Sequence, residues 1–79
     1  MDILSPETVR QWIGENLDCR HLQVAGDGQH FEALIVSEAF VGLNKVRRHQ
    51  LVYQALGARM HNEIHALSMR TLTPDEWNG

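Results

Sequence analysis

The chain has 79 residues, 43% hydrophobic and 22% charged, with 7 lysines and arginines against 10 aspartates and glutamates for a formal charge of −3. This length sits near the lower limit for an unassisted domain and predicts a single domain over residues 1–79 with one modest core, while the apolar fraction excludes a disordered chain. The acidic balance excludes a molecule-wide electrostatic nucleic-acid binder, so any polyanion contact must be local; the lone Cys19 excludes an internal disulfide. No signal-peptide pattern and no run of about 20 apolar residues is read, so no membrane association and a reducing, cytoplasmic compartment are expected.

The first element is a helix over roughly residues 5 to 17, with Ser5 as N-cap, Pro6 at the first helical position and Val9, Trp12, Ile13 and Leu17 at helical spacing. Leu22 and Val24 then alternate with His21 and Gln23. A "GDG" turn signal follows, and Phe31, Ala33 and Ile35 alternate again, which predicts a β-hairpin. From Asn44 as cap to about Met60, the spacing of Val46, Val52, Tyr53, Leu56 and Met60 predicts a long helix, with Gly57 a mild weakness near its end. "IHALSMRTL" predicts a third strand, and Thr73 with Pro74 can start one further helical turn.

The order α-β-β-α-β, undivided by repeat or linker, predicts one α+β domain with helices on one face of a three-stranded sheet. A strand-helix-strand crossover in one sheet normally makes its two strands parallel, so the second and third strands start at the same end. His30 and His65 lie at those starts. In neighbouring strands about 4.8 Å apart, their imidazoles can approach a common ligand, and His61 falls near the same end.

His30, His61 and His65 therefore have two readings. Imidazole is a common ligand for borderline metals and replaces thiolate on some iron–sulfur irons, but the spacing matches no zinc-finger pattern and a strand histidine often only bonds a backbone group. His61 has an alternative role as a favourable charge at a helix C-terminus.

Lys45, Arg47 and Arg48 in "NKVRRH" occupy the first turn of the long helix. An exposed cation there opposes the macrodipole at a cost of roughly 0.3–1 kcal/mol. They are candidates for binding a phosphate or carboxylate, with His49 adding pH sensitivity; the alternative is a solvated face balanced by Glu38. Cys19 reads as a small filler at a strand start, because it has no partner for redox chemistry. No nucleophile with a base, paired-carboxylate pocket or phosphate loop is found, which argues against an enzyme.

"FVGLNKVRRHQLVYQALG" followed by "IHALSMRTLTPDEW" resembles the BolA family, with its Phe-x-Gly turn, Arg-His in the central helix, and Ile-His-Ala before a strand closing on Thr-Pro-x-Glu-Trp. "VAGDGQHFEALIVSEAFVGLNKV" is most similar to the IbaG-like branch, and the likeness covers nearly the whole chain. The resemblance implies a KH-like (class II) α-β-β-α-β fold with a mixed three-stranded sheet, and no enzyme activity. It implies a heterodimer with a monothiol glutaredoxin around a shared [2Fe–2S] cluster, in iron–sulfur trafficking or iron homeostasis. His65 then matches the family's main ligand and His30 the loop ligand. The partner's cysteine and a glutathione thiol complete the set, and no cofactor is expected in the isolated protein.

His61 matches no family motif and is kept as a companion of the ligands. Some bacterial members are DNA-binding transcription regulators, which makes Lys45, Arg47, Arg48 and His49 the candidate DNA contacts. "GLNK" departs from the Gly-x-x-Gly clamp of RNA-binding KH domains. A mononuclear metal carrier using His30, His61 and His65 is a third reading, and a homodimer of the free protein stays open.

Overall fold

The structure, a computed structural model, describes residues 5–27, 29–58 and 66–78. Helix α1, Pro6–Asn16, starts where expected. The Ser5 hydroxyl accepts the Thr8 N–H at 3.2 Å, and Pro6 occupies the position whose missing N–H costs nothing. Val9 and Ile13, one turn apart, are its fully buried residues.

Strands β1, His21–Gly26, and β2, Phe31–Val36, pair antiparallel from His21↔Val36 to Gly26↔Phe31. Strand β3, Leu67–Leu72, lies parallel to β2 with Phe31↔Leu67 in register, so the sheet order is β1-β2-β3 and the expected crossover is present. The strand expected from Ile64 begins at Leu67, with Ala66 outside it, and residues 64 and 65 fall outside the described residues.

Because side chains alternate, this register puts Leu22, Val24, Phe31, Ala33, Ile35, Leu67 and Met69 on one face. Val9 and Ile13 of α1 pack on that face with Val52, Ala55 and Leu56 of helix α2, Lys45–Leu56, and Phe40 closes the same cluster. Val36 is also fully buried but lies on the opposite face, with His21. The His21 ring stacks on Trp77, centroids 4.7 Å apart, so the short C-terminal helix α3, Pro74–Asn78, reaches that second face at one end. Helices α1 and α2 thus share one face as expected, and α3 adds a small cover to the other.

Helix α2 is capped by the Asn44 side chain, which accepts the Arg47 N–H at 2.9 Å. It stops at Leu56 rather than Met60. Gly57 adopts φ 63°, while its N–H still donates to Tyr53 O at 2.9 Å. A side chain disfavours that angle, so the glycine ends the helix instead of merely weakening it. Between β2 and α2, Ser37 is buried and its hydroxyl donates to Asp18 O at 2.7 Å, tying the crossover entry to the residues before β1. No helix among the described residues is long and apolar enough to cross a membrane.

Candidate functional site

His30 is exposed and immediately precedes Phe31, which is only 1% exposed and in register with Gly26 on one side and Leu67 on the other. The hairpin loop leading to it is organised by one carboxylate. Asp27 Oδ1 accepts the N–H of Gln29 and of His30, both at 2.9 Å, and the Asp27 N–H donates to His30 O at 3.2 Å. Those backbone donors, His30's foremost, hold the Asp27 carboxyl below its ordinary value. Gly26 is required here: an added Cβ would lie 2.3 Å from His30 O and 2.8 Å from Phe31 Cδ1.

His65 and His61, the other members of the expected histidine set, lie outside the described residues. The expected role of His61 as a charge at a helix C-terminus lies outside the described residues with it. Among the described residues no group of three or more His, Cys, Asp or Glu side chains is arranged to hold a metal ion. The described part of the site thus offers one solvent-facing imidazole on a fixed backbone. This donor suits iron, and it is an incomplete set by itself.

The basic turn divides in two. Lys45 and Arg47 are exposed on the first turn of α2, beside the exposed Val46, and His49 is half-buried. Arg48 is different: its side chain is 14% exposed and committed inside the fold. Nε donates to Leu43 O at 2.9 Å, and Nη1 donates to Thr71 O at 3.1 Å. The guanidinium also grips Glu76 bidentately, at 2.8 and 3.3 Å. The Phe40 ring centroid lies 6.0 Å from the guanidinium carbon.

Glu76 in turn closes a capping box, accepting the Thr73 N–H at 2.8 Å while its own N–H donates to Thr73 Oγ1 at 3.2 Å. Its Arg48 partner first, and then the Thr73 N–H, bring the Glu76 carboxyl down to about 2. Glu38, expected to balance the basic turn, instead pairs with Arg20 at 2.8 Å on the surface. Sequence reasoning missed the Arg48 tie. The Thr73-x-x-Glu76 spacing is its one local signal, and Arg48 is far from that glutamate along the chain.

Cys19 is half-buried, with Sγ 3.4 Å from Leu17 O, and burial followed by the Asp18 charge raises its thiol pKa. That suits the filler reading.

A family model described as "BolA-like protein" matches residues 13–76. The chain is 41% identical over 63 residues to the DNA-binding transcriptional regulator BolA of Haemophilus influenzae, covering 80% of this chain but only 61% of that protein. It is 40% identical over 62 residues to the acid stress protein IbaG of Escherichia coli K12, covering 77% and 74% of the two chains. The solved structure of a bolA protein homologue from Coxiella burnetii superposes with a TM-score of 0.81 at 40% identity, over 96% of this chain and 99% of that one.

Proposed function

Because the chain belongs to the BolA family, we propose that it is a non-enzymatic partner of a monothiol glutaredoxin, supplying His65 and His30 to a shared [2Fe–2S] cluster. The observation that carries this reading is the position of His30: an exposed imidazole beside the β2–β3 start, where Leu67, next but one after His65, pairs with Phe31. The partner's cysteine and a glutathione thiol supply the sulfur ligands that this chain lacks, in a reducing, cytoplasmic compartment. Two imidazoles in place of thiolates make a cluster less anionic and raise its potential, which suits transfer or sensing. In this role the chain binds and orients; it moves no covalent bond of its own.

Titrating a cluster-loaded monothiol glutaredoxin with this protein is expected to change the visible circular dichroism spectrum. His65→Ala should abolish the change and His30→Ala should alter or weaken it. An unchanged spectrum with the wild type, or an identical response from both variants and the wild type, rules the reading out.

A second reading is favoured by the exposed Lys45 and Arg47 at the start of α2 and by the DNA-binding character of the Haemophilus relative. In it, these two cations contact DNA phosphates, with Arg48 holding their helix in place and His49 beside them. Each phosphate contact adds about 0.9 to the slope of log affinity against log salt, so Lys45→Ala with Arg47→Ala should flatten that slope by about 2. An unaltered slope and affinity would exclude this surface as the DNA contact.

A further inference from the structure

His30 is exposed and makes no side-chain hydrogen bond among the described residues, so no such bond fixes its imidazole there, and the order of its backbone governs from where the ring extends. That backbone is tied to one residue. Asp27 accepts the N–H of His30 and of Gln29 through the same Oδ1 and donates its own N–H to His30 O. The absence of a side chain at Gly26 lets the His30 carbonyl seat against the strand end at a distance no Cβ would tolerate. From this geometry, and resting on the glutaredoxin reading above, we infer that Asp27 is a positioning residue for the cluster ligand His30. It acts by pre-ordering the backbone from which the imidazole extends.

The physical consequence is entropic. A ligand residue on a free hairpin loop must be ordered when the complex forms, and that ordering is subtracted from the affinity; a loop already fixed avoids the loss. Ordering the backbone of one residue corresponds to about a 5- to 30-fold change in an equilibrium constant. Asparagine retains an Oδ1 that can accept both N–H groups, whereas alanine retains none. The two substitutions therefore separate hydrogen-bonded positioning from simple presence of charge.

The experiment reads two quantities. In the free protein, Asp27→Ala should speed amide hydrogen exchange at Gln29 and His30, while Asp27→Asn keeps them near wild type. In the dichroism titration with cluster-loaded glutaredoxin, Asp27→Ala should raise the half-point concentration about 5- to 30-fold, and Asp27→Asn should restore it. In the His30→Ala background, Asp27→Ala should add nothing, which a general loss of stability would not reproduce. Unchanged exchange in Asp27→Ala, or an additive loss in the double variant, overturns the inference while leaving the glutaredoxin reading intact. A wild-type spectrum that never changes overturns that reading and the positioning role with it.

Discussion

Phe31→Ala is expected to cost about 3–5 kcal/mol, the usual loss for truncating a buried phenylalanine. Phe31 is 1% exposed and belongs to the central apolar cluster. It sits where all three strands come abreast, opposite Gly26 on β1 and Leu67 on β3. Gly26 has no side chain to relax into the space, so most of the void should persist. A domain this small has a total stability of only about 4–12 kcal/mol, which makes the loss a large share of the whole. At about 4–8 °C per kcal/mol for a domain of this size, thermal unfolding followed by far-ultraviolet dichroism should shift down by at least about 12 °C. Phe31→Leu should recover most of the loss. A drop under about 1 kcal/mol for the alanine variant would contradict the packing at this end of the sheet. The result also bears on His30, because a ligand assay on a variant that disorders its neighbour reports folding and not ligation.

Much of the architecture is readable from local pattern because each signal has one physical cause. The alternation of Phe31, Ala33 and Ile35 marks a strand with a buried face, and Ser5-Pro6 and Asn44 mark helix starts by the hydrogen bonds they satisfy. What escapes is what depends on residues far apart or on backbone angle. Gly57 reads as a propensity cost, but its positive φ makes it a stop signal. Val36 breaks the alternation on a face where α3 brings Trp77 against His21, a pairing no sequence window contains.

The candidate site divides in the same way. Asp27 is visible only as the centre of a turn signal, although its carboxylate holds the backbone of His30. His30 itself is readable through crossover geometry, which places it beside the start of β3. The cations at the start of α2 call for an outside anion when read locally, because each opposes the helix dipole. For Arg48 the anion is internal, since Glu76 answers it from the capping box of α3.

Replacing Arg48 by methionine should therefore behave as a structural change and not as the loss of a nucleic-acid contact. Methionine keeps an apolar stem near Phe40 but leaves the carbonyls of Leu43 and Thr71 without their Arg48 donor. The expected cost of those two losses is about 1–3 kcal/mol in urea unfolding. The Glu76 part of the effect carries a pH signature. The folded protein holds this carboxyl at about 2 against an ordinary 4.5, so its stabilising contribution is complete above 4.5 and is lost as pH falls toward 2. The stability gap between wild type and Arg48→Met should consequently narrow over that window, leaving the part due to the two carbonyls. Glu76→Gln should remove the same pH dependence while sparing the carbonyl bonds. By contrast, alanine substitution of the exposed Lys45 and Arg47 should leave stability within about 0.5 kcal/mol. If DNA is bound, that pair alone should lower the salt slope; Arg48→Met should reduce only the folded fraction and leave the slope of the folded molecules unchanged. A pH-independent gap, or a slope that falls with Arg48→Met in fully folded protein, would return Arg48 to the binding surface.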